Sequence, residues 1–254
     1  MQFRFSDQVI TINVPTRAAL ERRVRDCLRR ERGFALATVN LDHLVKMSAS
    51  ARFAQVYARQ DMVVADGRPI VGLSRIAGRP VELMPGSDMV LPLCRWAAAE
   101  GRAIALVGST AQALADAERA LCDGVPGLVV ALRIAPPQGF DPSGAEADAI
   151  LKQLDAAGVG LCFLALGAPK QETLALRGRQ LAPRVGFASV GAGLDFLGGH
   201  QRRAPRWMRR VGLEWLWRAA SSPLRLVPRY LKCALILPGQ VLAARRLRRT
   251  GDRG

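Results

Sequence analysis

Six short apolar runs in the first 190 residues limit what this chain can fold into more than any other feature. They fall at residues 34–40 (FALATVN), 62–65 (MVVA), 103–108 (AIALVG), 128–134 (LVVALRI), 159–166 (VGLCFLAL) and 186–190 (GFASV). Runs this short and this continuously apolar read as strands buried on both faces. Between them, residues 87–100, 111–122, 144–157 and 169–181 repeat apolar positions at three- and four-residue spacing, as helices with one buried side do. Strands alternating with helices predict an α/β fold, a mostly parallel sheet with helices on both faces in a Rossmann-like arrangement. The opening residues, FRF and then VITINV, predict a small hairpin ahead of the alternation.

The alternation is complete by Val190, and the composition then changes. Residues 1–199 carry 23 Lys and Arg against 19 Asp and Glu, whereas residues 200–254 carry 14 against 2. Three of the four tryptophans (Trp207, Trp215, Trp217) share that basic end with apolar runs at 224–227 and 234–237. The expected organisation is therefore an α/β body over 1–199 and a basic, amphipathic, helical appendage over 200–254. Such an appendage attracts anionic lipid headgroups, phosphate groups or nucleic acid. No apolar stretch reaches the roughly 18–20 residues that span a bilayer. The best, 231–244, is short and holds Pro238-Gly239. The start (MQFRFSDQVITINV) lacks a basic segment followed by an apolar run, so no secretory signal is expected. Five cysteines with no CxxC pair read as buried thiols of a reducing compartment.

In a parallel sheet, ligands bind beyond the carboxyl ends of the strands. Those positions hold Thr38 and Asn40, Asp66-Gly67, Gly108-Ser109-Thr110, Gly167-Ala168-Pro169-Lys170-Gln171-Glu172, and Gly191-Ala192-Gly193. Thr38 and Asn40 are two apart, so strand alternation sends both to one face. Glycines just ahead of helices allow backbone N–H groups to approach a phosphate, and their convergence on one edge suggests a nucleotide-type ligand. Asp66 has two readings. It can cap a helix opened by Asp-Gly-Arg-Pro, or stand as a carboxylate at the ligand edge, placed to take a proton from a hydroxyl.

These residues resemble a known family, the WecG/TagA/CpsF glycosyltransferases. The similar pieces are Thr38-Val39-Asn40, Ala65-Asp66-Gly67, Gly78-Arg79 through Gly86-Ser87-Asp88, and Gly167 through Glu172. They continue with Gly191-Ala192-Gly193-Leu194-Asp195-Phe196, Arg203-Ala204-Pro205, Gly212-Leu213-Glu214-Trp215-Leu216, and Pro223, Arg225 and Arg229-Tyr230, in family order across about residues 35–232. The resemblance implies an inverting transferase moving a hexose or N-acetylhexosamine from a UDP-sugar. The acceptor it implies is a polyprenyl-diphosphate-linked sugar at the cytoplasmic face of the inner membrane, used in cell-surface polysaccharide synthesis. It implies Asp66 as general base, with Thr38, Asn40, Arg79 and Gln171 at the substrate pocket. It also implies that Arg218 and Arg225 close over the donor diphosphate. Pro228 stands where family members often carry another basic residue before the Arg-Tyr pair.

The chemistry of the residues fits a metal-independent enzyme with no cofactor. Departing UDP needs its charge stabilised, yet the chain has no Asp-x-Asp, and His43 and His200, its only histidines, have no ligand-like spacing. Guanidinium groups grip phosphate bidentately and stay charged. His200 reads as a surface loop residue. The expected partners are a UDP-sugar, a lipid-linked acceptor and an anionic membrane surface, with peripheral attachment through the tryptophans, the apolar residues of 224–242 and Arg245, Arg246, Arg248 and Arg249. The competing class is a nucleic-acid-binding protein, suggested by a pI near 11.2. The near-neutral body and the lack of a helix-turn-helix, zinc-finger or RNA-binding pattern argue against it, so no nucleic-acid partner is expected. A dinucleotide enzyme would need G-x-G-x-x-G after the first strand, which is missing.

Overall fold

The computed structural model describes residues 1–5, 7–201, 204–205, 207–208 and 213–251, and at 218, 225, 250 and 251 the backbone alone. The chain opens with the predicted hairpin, β1 (Gln2–Phe5) paired antiparallel with β2 (Gln8–Thr11). Then come α1 (Arg17–Arg29), β3 (Phe34–Val39), α2 (Leu41–Ala49), α3 (Ala51–Ala58), β4 (Met62–Ala65), α4 (Arg68–Ile76) and α5 (Gly86–Ala99). The alternation continues through β5 (Ile104–Gly108), α6 (Ala111–Gly124), β6 (Val130–Ile134), α7 (Ala145–Ala156), β7 (Leu161–Ala165), α8 (Lys170–Leu181), β8 (Gly186–Ser189) and α9 (Gly193–Leu197). Two further helices close the described chain, α10 (Glu214–Ser221) and α11 (Pro223–Gly251).

The six strands β3 to β8 form one sheet in the order β4-β3-β8-β7-β5-β6, every pair parallel. Successive residues of each buried strand feed opposite layers, the two-residue period of a strand made visible. Phe34, Leu36, Ile104, Leu106, Leu161, Phe163 and Ala188 join the core under α1, α5, α6 and α9. Ala35, Ala105, Val107, Cys162, Leu164 and Phe187 join the core under α7 and α8. Ala37, Val39, Val63 and Ala65 join the third, built with the hairpin and α2, α3 and α4.

Two expectations are corrected. β6 is not a buried strand but the sheet's outer edge; its residues alternate between half-buried and exposed, and Arg133 reaches out to Glu118 at 2.8 Å. Of the five thiols, Cys122 is exposed on α6 while Cys27, Cys94, Cys162 and Cys233 are buried. The helical tail is as expected: α11 runs from Pro223 to Gly251 through both Pro228 and Pro238. Each proline deprives the carbonyl four residues back of its partner. Leu224 and Ala234, the residues concerned, are both exposed.

The tail is also more than an extension. Its second half packs on α2 and α4, with Ala244 fully buried and Ile236, Leu237, Val241 and Leu247 against the hairpin-side core. Arg229 pairs with Asp42 of α2 at 2.8 Å, and the rings of Trp215 and Tyr230 meet edge-on at 5.8 Å to join α10 to α11.

Candidate active site

The loops after β3 and β8, neighbours in the sheet, leave for opposite faces. α2 buries Leu44 and Met47 in the hairpin-side core, whereas α9 buries Leu194 in the α5–α6 core. A crevice opens at the carboxyl edge where adjacent strands part in this way, the usual ligand position of such sheets. Around it stand Thr38 and Asn40 from β3, Asp66 from β4, the start of α5, Gln171 from α8 and Gly191 after β8.

Asp66 is placed by backbone and side chain together. Its N–H donates to Val39 O at 2.8 Å, extending the β3–β4 ladder one step. Its Oδ2 accepts from Asn40 Nδ2 at 3.1 Å. The residue in the cap position of α4 is Gly67, at φ 100° and ψ 140°, with Asp66 one step ahead of it. A β-carbon at Gly67 would be strained by this dihedral, so glycine is what lets the chain turn out of β4 and leave Asp66 half-exposed at the edge.

Asn40 is itself locked. It caps α2 by accepting from His43 N at 3.2 Å, and its own N–H donates to His43 Nδ1 at 3.2 Å, a reciprocal capping box. The other ring nitrogen, Nε2, faces Glu172 Oε1 at 3.4 Å. Gln171 Nε2 donates to the same Glu172 oxygen at 2.8 Å, and Gln171 Oε1 accepts from Gly191 N at 3.2 Å. Hydrogen bonds and close contacts thus run from Asp66 through Asn40, His43, Glu172 and Gln171 to Gly191, joining the ends of β4, β3 and β8. Tyr57 lies against this chain. Burial first, then the charges of Glu172 and Asp66, push its phenol well above the ordinary range.

Thr38 is buried beside the start of α5. A β-carbon on Gly86 would come within 3.3 Å of Thr38 Oγ1 and 3.2 Å of Val190. Glycine there is what lets the α5 N-terminus close one wall of the crevice. α4, α5 and α8 all start at this edge, and the N-terminal end of a helix carries a partial positive charge that suits an anion.

Of the residues singled out in the sequence, Thr38, Asn40, Asp66 and Gln171 come together. Arg79 does not. It follows the far end of α4, and the nine residues of that helix span about 13 Å away from the crevice. There its charge acts on the Met1 amino group, which burial and then Arg79 hold below the ordinary range. Arg218 and Arg225 lie on α10 and α11, but their side chains fall outside the described residues, as does Arg203. His200 is exposed and bonded to Asp116 at 2.8 Å, as a surface loop residue is. Asp195 serves inside the protein: it accepts from Ser109 Oγ and from Gln201 Nε2, tying α9 to the β5–α6 turn.

Sequence reasoning missed His43 and Glu172. The three-residue step from Asn40 to His43 is the spacing of a capping box and offered one trace. Asp42 and Lys46 were missed as well. Asp42 pairs with Lys46 at 3.0 Å and with Arg229, and Lys46 Nζ also donates to Ala168 O at 2.9 Å, so α2, the β7–α8 loop and the tail helix meet at one carboxylate.

Compared with the models of known protein families, the chain matches the Glycosyl transferase WecG/TagA/CpsF family over residues 8–251. That span takes in the whole parallel sheet, every residue of the crevice, and both tail helices.

Proposed function

The chain belongs to the WecG/TagA/CpsF glycosyltransferase family, and we propose that it is an inverting, metal-independent transferase of UDP-sugars acting on a polyprenyl-diphosphate-linked sugar. Membership makes it a glycosyltransferase of cell-surface polysaccharide synthesis, with a sugar donor and a lipid-linked acceptor. The finer reading rests on one observation above all. A half-exposed carboxylate, Asp66, stands in the crevice at the parting of β3 and β8, fixed by Asn40 and by the ladder.

In this reading the hexose or N-acetylhexosamine of the donor lies in the crevice. Its diphosphate points toward the N-terminal starts of α4, α5 and α8. Asp66 accepts the proton of the acceptor hydroxyl as that oxygen bonds to the anomeric carbon. The bond from that carbon to the diphosphate breaks on the opposite face, and UDP leaves with both electrons. One displacement inverts the anomeric centre. Helix N-termini and arginines stabilise the charge that develops on the diphosphate. Thr38 and Gln171 line the pocket. Among the described residues no three His, Cys, Asp or Glu side chains gather as a cation site. Activity is expected to persist in excess EDTA; a strict need for added Mg²⁺ or Mn²⁺ would contradict the charge scheme.

Arg218 and Arg225 are assigned to the donor diphosphate. Lys at either position keeps the charge but loses the planar two-point grip. Each Lys variant is expected to raise the donor KM or lower kcat by about tenfold, the equivalent of roughly 1.4 kcal/mol of lost diphosphate binding. Parental kinetics in both variants would reduce these arginines to bulk charge.

No described helix is long and apolar enough to cross a membrane. We assign the protein a peripheral place on the cytoplasmic face, with 1–199 as catalytic body and 200–254 as the part that attaches and closes the site. The function is tested by incubating purified protein with a panel of UDP-sugars and a short-chain lipid-diphosphate-sugar, following UDP release and product. Release that depends on the acceptor supports it. A donor requirement met only by sugar nucleotides of another base overturns it.

A further inference from the structure

We propose that His43 and Glu172 form a buried brace that sets the position of Asp66 through Asn40, so that both are positioning residues for the transfer. The proposal rests on the reading of Asp66 as base. Four observations carry it. The His43 side chain is 7% exposed and that of Glu172 is 0% exposed. His43 Nδ1 accepts from the Asn40 N–H at 3.2 Å, which leaves Nε2 as the ring nitrogen beside Glu172 Oε1, 3.4 Å away. Glu172 is fixed in turn, its Oε1 by Gln171 Nε2 at 2.8 Å and its backbone oxygen by Gln60 Nε2 at 3.1 Å. Phe53 and Tyr57 flank the imidazole at ring distances of 6.4 and 5.5 Å and shield it from water.

Burying a carboxylate and an imidazole at one contact is costly, and an apolar pair of equal volume often serves stability as well or better. What the polar pair supplies is direction. A leucine at position 43 fills the space but leaves the Asn40 N–H without its acceptor and removes the imidazole from beside Glu172 Oε1, which keeps only Gln171 Nε2. Asn40 Oδ1 keeps the backbone N–H of residue 43, but the Asn40 backbone loses its anchor at the end of β3, and the Nδ2 bond to Asp66 Oδ2 shifts with it. A base displaced by a fraction of an ångström loses rate far more than binding, because donor contacts lie elsewhere in the crevice.

The substitutions that test this differ in reach. Gln at the third helical position completes a capping box and also extends an amide N–H toward Glu172. Asn places an oxygen where Nδ1 lies, keeping the box, but stops short of Glu172. The expected result is a kcat at least tenfold lower in His43→Leu with the donor KM within about twofold, and a kcat within about threefold of the parent in His43→Gln. His43→Asn should fall at least fivefold; it takes the place of His43→Leu should that variant not fold. Coupling decides the mechanism: in an Asp66→Asn background, His43→Leu or His43→Asn should cause no further loss. An undiminished loss in that background, or a Gln variant as slow as the Leu one, overturns the brace while leaving Asp66 as base. Parental turnover in Asp66→Asn alone overturns the base assignment and the brace with it.

Discussion

Asp66→Asn is expected to lower turnover by roughly 10²–10⁴-fold, the worth of a positioned general base. Little else should change. The residue is half-exposed, its backbone bond to Val39 is indifferent to the side chain, and an amide oxygen still accepts from Asn40 Nδ2. The melting temperature and the donor affinity should therefore stay near those of the parent. Near-parental turnover in the folded variant would remove Asp66 from the chemistry.

The second large effect concerns attachment. Leu224, Val227, Leu231, Leu235 and Leu242 are all exposed, Leu224 at 94%, and their spacing of three, four, four and seven sets them on one side of α11. Arg245 and Arg249 continue the same side three and seven residues beyond Leu242. The opposite side, through Leu226, Cys233 and Ala244, is buried. A row of large apolar side chains facing water, ending in arginines and with exposed Trp207 and Trp215 on the neighbouring segment, fits an anionic lipid surface. Replacing Leu224, Leu231, Leu235 and Leu242 together by Gln keeps helix propensity. At about 1 kcal/mol for each leucine half-inserted in the interface, it should weaken binding to vesicles rich in anionic lipid by about 10³-fold. Co-sedimentation measures this. The row faces away from α2 and α4, so transfer to a water-soluble acceptor should be retained. Unchanged sedimentation would mean that something other than a membrane covers the row.

Much of this was legible in the sequence, and the rest was hidden for identifiable reasons. The apolar runs specified all six strands of the sheet because burial on both faces leaves no other reading for four to eight such residues. At β6 the same reasoning overreached, since run length does not distinguish an edge strand from a central one. The edge positions of Thr38, Asn40, Asp66 and Gln171 followed from strand ends alone. That Gly67 takes the cap position of α4 depends on its positive φ, which the Asp-Gly pair permits but does not require. Arg79 lies close to Asp66 in the chain and distant in space because α4 intervenes and runs away from the crevice. His43 and Glu172 meet across 129 positions, a pairing that no local pattern announces. The tail's charge and tryptophans were plain. Its helix has apolar residues on two opposite sides, so its periodicity gave no single buried face, and the docking of Ala244 on the body was invisible until the fold was known.

The central claim is a single displacement with Asp66 receiving the acceptor proton, and the configuration of the product tests it most directly. The purified enzyme would be given an α-linked UDP-sugar that it uses and a soluble lipid-diphosphate-sugar analogue. The one-bond carbon–proton coupling at the new anomeric centre would then be read by NMR. A β-linked product is the predicted result. An α-linked product would require a second displacement or a different geometry at the crevice, and would contradict the account.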